Sequence, residues 1–158
     1  MKKVLLAVAV LILFAVGSVH AASCTAGSLT KTILKSTRGM LVEQLDITSD
    51  ASGDVNGSTN CELDIESRYI YKVSVKPDSG GTAPTALYDC RFNDPLGNDV
   101  MQGELQNLPQ TNTVTTGIYS PLIGGAGMAS YGYEKLDLVC ENMGNAKGTT
   151  FNVYYYKE

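Results

Sequence analysis

The sequence predicts an all-β fold, an antiparallel β-sandwich of about seven or eight short strands. Two observations lead to this prediction. Apolar and polar residues alternate with a period of two in several separate segments, which is the pattern of strands with one buried face. Clusters of glycine, proline, asparagine and aspartate separate these segments, and nothing after residue 22 shows the apolar spacing of an amphipathic helix.

The N-terminus has the features of a secretory signal peptide. Lys2 and Lys3 precede an apolar run over 4–16, and mostly small residues follow as far as Ala22. We expect a signal helix that is cleaved after Ala21, which gives a signal peptide at 1–21 and a single sandwich domain at 22–158. The apolar run is shorter than the roughly 20 residues of a membrane-spanning helix. A weak lipobox ends at Cys24, so a lipid anchor on Cys24 is the alternative to plain secretion.

The charge of the chain bears on its partners. The full sequence has a formal net charge of −4, and removal of the two lysines of the signal peptide makes the mature chain more acidic. Nucleic acids and anionic membranes are bound by basic surfaces. We therefore predict that the protein binds no nucleic acid. The signal peptide predicts a periplasmic or extracellular protein, and the lack of a later long apolar segment predicts that it has no membrane span. We expect other proteins as its partners.

The cysteines favour two structural disulfide bonds, because an even number in an exported chain is typical of disulfide pairing. Cys90 and Cys140 each lie on the apolar face of an alternating segment, so both point inward and can meet in a sheet. Cys24 and Cys61 lie near the ends of predicted strands. We predict the bonds Cys90–Cys140 and Cys24–Cys61, each of which stabilises the fold by about 4 kcal/mol in the chain-entropy model. The cysteines form no Cys-x-x-Cys pair of the kind that binds zinc.

The sequence indicates no catalytic chemistry. The one histidine, His20, lies in the predicted signal peptide, so the mature protein has no imidazole for a catalytic triad, a general base or a metal site. No glycine-rich phosphate-binding motif is present. We predict that the protein is not an enzyme and has no catalytic residue, no cofactor and no metal site.

The prediction centres on residues 84–103, which contain two alternating segments around a turn-rich stretch at 93–99. We expect these segments to form a hairpin. The predicted strands are 29–34, 40–47, 69–75, 86–93, 100–105, 111–118, 136–140 and 151–155. Strands of this number and spacing suit a jelly-roll or immunoglobulin-like sandwich.

Two loops carry candidate features. Asp50, Ser52, Asp54 and Asn56 place oxygen side chains at every second position, as in a calcium loop. Counted from Ser52, the position of the required glutamate is occupied by Leu63. We therefore favour a hairpin turn at 56–57, where the sequence is Asn-Gly.

The second loop, 122–132, is rich in glycine and alanine. Tyrosines lie around it, and flexible aromatic loops often form contact surfaces. We predict a contact loop with Tyr119, Tyr131 and Tyr133.

Two segments resemble parts of small proteins encoded in the genomes of tailed phages and prophages, which are regarded as structural proteins of the virion or tail. The similar residues are Pro84-Thr85, Leu87-Tyr88-Asp89, Asp94, Gly97, Asp99-Val100 and Gly103, and then Leu136, Leu138, Asn142, Gly144-Asn145-Ala146-Lys147 and Gly148. The resemblance covers about 40–156 and implies assembly rather than catalysis. The signal peptide, Cys90 and Cys140 depart from the pattern, which suggests a related sandwich adapted to an oxidising compartment.

These observations support two classes of function. The first is an exported structural protein that assembles with itself or with a surface structure. The alternative is a secreted binding module for a carbohydrate or a cell-surface ligand, with tyrosines of the 119–133 region as contacts. A third hypothesis is a pilus-subunit-like adhesin, because the segment 151–156 is similar to the closing strand of chaperone-assembled pilus subunits, which is recognised by edge pairing.

Overall fold

The computed structural model describes residues 19–56, 61–65, 68–117 and 135–156. The regular secondary structure of this part of the chain is almost wholly β-strand, and its helical structure is limited to a 3-10 turn at Gly80–Thr82. Residues 1–18 of the predicted signal helix, which was expected over 1–21, lie outside the described residues. Residues 19–21 are described and belong to a strand, so the expected helix is wrong there. The strands are β1 (Val19–Ser23), β2 (Ser28–Ser36), β3 (Met40–Thr48), β4 (Val55–Asn56), β5 (Glu62–Asp64), β6 (Tyr69–Pro77), β7 (Asp89–Asn93), β8 (Val114–Gly117), β9 (Lys135–Glu141) and β10 (Gly148–Tyr156).

The larger sheet has six antiparallel strands in the order β1-β2-β3-β10-β6-β8. The closing strand β10 lies at its centre, with β3 paired along its whole length on one side and β6 on the other. A register shift near the end of β10 leaves Tyr71 of β6 without a directly opposed partner. Since both sides of β10 are occupied, this strand has no free edge, unlike the recognition strand of the pilus-subunit hypothesis.

The smaller sheet is built around β9. Val139 and Cys140 each pair with both β4 and β7, so these two strands flank β9 on opposite sides. β5 pairs with β9 on the same side as β4. The expected Asn-Gly hairpin is therefore wrong, because the strands that flank it both pair with β9 and not with each other. Residues 57–60, which contain the turn itself, lie outside the described part of the chain.

The prediction of a second strand of the central hairpin at 100–105 is also wrong. The segment forms successive turns instead, because two aspartates use their carboxylates to cap backbone N–H groups. Asp94 accepts hydrogen bonds from the amides of Leu96 and Asn98, at 2.9 and 2.8 Å, and Asp99 accepts from Met101 and Gly103, at 3.0 and 2.8 Å. The other predicted strands are present, and β1, β4 and β5 are additional.

The core lies between the inner faces of the two sheets and confirms the predicted sandwich. Phe92 of β7 and Phe151 of β10 are both fully buried, and their ring centroids are 6.1 Å apart across the interface. The segment of turns after β7, residues 94–108, which we call the turn segment, closes one side of the core with three buried side chains, Met101, Leu105 and Leu108. Because side chains alternate between the two faces of a strand, the larger sheet has one face buried in the core and an outer face directed away from it.

Candidate functional site

The outer face of the six-stranded sheet is the candidate functional site. Along β10, Phe151, Val153 and Tyr155 are fully buried, whereas the intervening Asn152 and Tyr154 are only partly covered. The same alternation continues in the neighbouring strands, so a second set of side chains faces away from the core.

Five uncharged polar residues form a continuous line across this face, which we call the polar row. Strand register places them side by side on β2, β3, β10, β6 and β8 in turn. The row consists of Thr32, Gln44, Asn152, Ser74 and Thr115. Neighbouring strands are about 4.8 Å apart, so the row extends for about 19 Å.

The polar row is partly bonded within the protein. The Thr115 hydroxyl lies 3.3 Å from that of Ser74, and the Gln44 amide donates to Asp46 over 2.8 Å. The amide oxygen of Asn152, at the centre of the row, is packed among its neighbours without a hydrogen-bond partner in the described part of the protein. An unpaired buried carbonyl group is costly, so this amide gains from any additional donor.

Taller side chains border the polar row on one side. Tyr154 lies two residues beyond Asn152, and Tyr71 packs edge-on against it with a centroid separation of 5.9 Å. The ammonium group of Lys72 lies 4.8 Å from the centroid of the Tyr154 ring, within the range of a cation–π contact. These residues form an aromatic border with one positive charge.

A charged border lies on the other side of the row. Asp46, Thr150 and Lys76 occupy adjacent outward positions, and the Thr150 hydroxyl donates to Asp46 over 2.7 Å. A cavity of about 360 Å³ adjoins this border, lined by Lys76, Pro77, Asp78, Ser79, Thr82 and Thr150. The polar row therefore lies between an aromatic border and a border that carries both signs of charge.

A second polar cluster lies inside the sandwich. Glu43 points inward from β3 and accepts a hydrogen bond of 3.1 Å from the hydroxyl of Tyr155, which is fully buried. Burial raises the pKa of the Glu43 carboxyl, while the Tyr155 hydroxyl and the charge of Lys31 oppose this shift. Burial raises the pKa of Tyr155 well above 10, and the neighbouring Glu43 adds to that effect. These groups bond to each other within the protein, which suits a structural role.

The buried tyrosines predict a loss of stability at high pH. Tyr155 and Tyr88 both have raised pKa values, chiefly because of burial, so they keep their protons when tyrosines of the unfolded chain ionise near pH 10. The free energy of unfolding should fall by about 1.4 kcal/mol per pH unit for each of them as the pH rises above 10. Urea denaturation at several pH values measures this slope. Tyr155→Phe should reduce it and Tyr156→Phe, at an exposed position, should not; equal slopes in the two variants would contradict the assignment.

The cysteines predicted as disulfide partners are paired as expected. Cys90 and Cys140 are directly opposed on β7 and β9 with their Cα atoms 4.1 Å apart, and Cys24 and Cys61 are bonded with a Cα separation of 5.2 Å. Two such bonds indicate an oxidising compartment. A lipid anchor would need the Cys24 thiol, which its bond to Cys61 occupies.

The remaining sequence predictions concern the contact loop, the calcium loop, metal sites and membrane spans. The contact-loop residues Tyr119, Tyr131 and Tyr133 lie outside the described residues. The carboxylate of Asp50, considered for a calcium loop, accepts hydrogen bonds from the amides of Ser52 and Asp54, at 2.8 and 3.0 Å. Over the ranges that the structure describes, we find no cluster of three or more metal-ligating side chains and no helix long and apolar enough to cross a membrane.

Sequence patterns do not predict the polar row. They contain a partial signal, because Asn152 and Tyr154 alternate with the apolar residues of the same strand. The row itself depends on the register of five strands, which short sequence patterns do not specify.

Comparisons with known proteins add no family to this description. No protein-family model matches the sequence, and neither a curated protein nor a solved structure matches it significantly.

Proposed function

We propose that this chain is an exported, non-enzymatic structural protein that assembles through the edges of its six-stranded sheet. The two disulfide bonds favour a compartment outside the cytoplasm, and the basic and apolar N-terminal segment supports delivery by a signal peptide. The resulting location is the periplasm or the extracellular medium.

The observation that carries this proposal is a difference between the two sheets in how their edges are treated. In the smaller sheet the outer edge of β7 is covered by the turn segment. The backbone amide of Cys90 donates to the carbonyl of Leu105, and the backbone amide of Leu108 donates to the carbonyl of Tyr88, each over 2.8 Å. The opposite edge bonds to the chain near Ala26, which accepts from the Asn56 amide over 3.1 Å.

The larger sheet lacks such cover in the described part of the chain. It ends at β1 and β8, and no other described strand pairs with the outer side of either. Exposed strand edges carry unpaired N–H and C=O groups that can bond to another chain. The two edges of the larger sheet are thus the places where this chain can pair with the strands of another protein.

Signal-peptide cleavage would open the β1 edge further. β1 spans the predicted cleavage point, and Val19–Ala21 pair with Thr30–Thr32 of β2. Removal of residues 1–21 exposes this part of β2, next to Ile33 and Leu34, whose side chains are already 42% and 53% exposed. β2 and β8 then lie at opposite ends of one sheet, so pairing of β8 with β2 of a second copy can repeat head to tail.

The sequence resemblance to phage and prophage structural proteins supports the same proposal, because those proteins also work by assembly. Protein partners, including further copies of this chain, follow from it, whereas an acidic chain favours neither nucleic acid nor anionic membrane.

Sedimentation velocity tests the proposal. We expect the protein recovered from the periplasm or the medium to form larger species as its concentration rises. Thr115→Lys places a charge on the exposed edge strand β8 and should shift the protein toward the monomer by at least tenfold in concentration, because edge lysines oppose strand pairing.

Gln110→Lys is the matched control, since it adds the same charge at an exposed position outside the strands. This variant should assemble like the unaltered protein. A protein that stays monomeric at every concentration, or two variants that assemble equally, would overturn assembly through β8.

A secreted binding module is the second candidate function. The specific observation in its favour is the polar row, a line of uncharged polar residues on the outer face with Tyr71 and Tyr154 beside it. This candidate uses the face of the larger sheet, whereas assembly uses its edges.

A further inference from the structure

The outer face of the larger sheet has the chemistry of a site for an uncharged, hydroxyl-rich chain. The polar row contains only hydroxyl and amide side chains, and it runs across the strands for about 19 Å. Hydroxyl and amide groups both donate and accept hydrogen bonds, so they can bond to a ligand whose own groups are hydroxyls.

The charges around the row favour a neutral ligand. Asp46 and Lys76 lie on one border, on opposite sides of Thr150, and Lys72 lies on the other border. A polyanion would meet Asp46 and the net negative charge of the chain, and a polycation would meet the two lysines. A long neutral chain carries no charge that either border would repel, and the polar row beneath it is uncharged.

The aromatic border supplies the apolar part of such a site. Tyr71 and Tyr154 stand beside the row, and tyrosine presents an apolar ring together with a polar hydroxyl. A sugar ring has an apolar C–H face and polar hydroxyl edges. The face of the ring can therefore contact Tyr154 while the hydroxyls reach Gln44, Asn152 and Ser74.

Asn152 is the residue of the row at which a hydrogen bond from a ligand would stabilise the protein most, because its amide oxygen is unpaired in the described part of the protein. Its neighbours in the row, Gln44 and Ser74, are already bonded to Asp46 and Thr115. The Asn152 carbonyl oxygen has no partner among the described residues. A half-turn about the terminal side-chain bond exchanges the positions of the amide oxygen and nitrogen, so this amide can present either an acceptor or a donor to a ligand hydroxyl.

We propose that the outer face of the larger sheet binds a neutral polysaccharide chain that lies across the strands along the polar row. The hydroxyls of the polysaccharide bond to Asn152, Gln44 and Ser74, and one sugar ring packs against Tyr154. This site does not rest on assembly through the sheet edges, and either function can hold without the other.

Affinity electrophoresis tests the site with soluble neutral polysaccharides in the gel, namely a β-glucan, an α-glucan and a mannan, and with alginate as the anionic comparison. We expect the mobility of the protein to be retarded by at least one neutral polymer and not by alginate. Titration with the matching oligosaccharide should change the fluorescence of tyrosine, since the chain contains no tryptophan.

Two variants assign the binding to the row. Gln44→Ala should weaken binding by about tenfold, the equivalent of one hydrogen bond, and Asn152→Asp should weaken it further because it places a charge in the polar row. Gln106→Ala, at an exposed position on the turn segment of the smaller sheet, is the matched control and should bind normally. Thermal melting establishes that each variant is folded.

Three results would overturn the proposal. They are the absence of retardation by every neutral polymer, retardation by alginate alone, and equal binding by folded Gln44→Ala, Asn152→Asp and Gln106→Ala proteins. Failure of assembly in the sedimentation experiment would leave this result unaffected, because the polymer titration is made at a single low protein concentration.

Discussion

Replacement of both Cys90 and Cys140 with alanine is expected to lower the free energy of unfolding by about 4 kcal/mol. The bond joins residues that are 50 positions apart, so it removes much of the conformational freedom of the unfolded chain. Both residues are fully buried and directly opposed on β7 and β9, so the native pairing does not depend on an exposed loop. Since domains are typically stable by about 5–15 kcal/mol, the loss is a large share of the total.

Urea denaturation of the oxidised protein and of the double variant measures the difference in unfolding free energy. The variant with both Cys24 and Cys61 replaced by alanine provides the comparison, because that bond joins residues 37 positions apart and should contribute a similar amount. A loss below about 1 kcal/mol for the Cys90 and Cys140 variant would contradict a bracing role for this bond.

The second large effect is expected for Phe92→Ala, which should lower the free energy of unfolding by about 3–5 kcal/mol. Phe92 is fully buried on β7, and its ring meets Phe151 of the larger sheet. Removal of the ring leaves a cavity between the sheets that the backbone of paired strands cannot readily close.

Leu96→Ala is the control in the same segment, because Leu96 is 77% exposed and its truncation should change stability by less than about 0.5 kcal/mol. Phe92→Leu keeps part of the apolar volume and should recover part of the loss. If Phe92→Ala and Leu96→Ala cost the same in urea denaturation, the contact between the two sheets would not be a main source of stability.

The part of the fold that sequence could predict is local. Alternation predicts which residues of a strand face the core, and it correctly placed Cys90 and Cys140 on inner faces where they could meet. It also gave β2, β3, β6, β9 and β10 close to their observed bounds. Each of these results depends only on the two-residue period of a strand.

The errors arose where side chains compete with strand pairing. Val100–Leu105 has apolar residues that suit a strand, but the Asp99 carboxylate holds the backbone amides of Met101 and Gly103 in a turn. Likewise, the Asn-Gly sequence at 56–57 suggested a hairpin, yet β4 and β5 pair with β9. The partner of a strand is a long-range property, and a turn signal alone does not determine it.

The candidate site required the same long-range information. Thr32, Gln44 and Thr115 are unremarkable surface residues in the sequence, and they become neighbours of Asn152 only through the strand order β2-β3-β10-β6-β8. The site residues that the sequence did supply were those of the disulfide bonds, because cysteine chemistry limits their partners.

The intact mass of the protein recovered from the periplasm or medium, before and after reduction, tests most directly whether the chain is exported and braced by disulfide bonds. We expect a chain that begins at Ala22, and reduction should add about 4 Da, one hydrogen for each cysteine sulfur of the two bonds. A chain that retains residues 1–21 in the cytoplasm would contradict export, and a mass that reduction leaves unchanged would contradict the disulfide bonds.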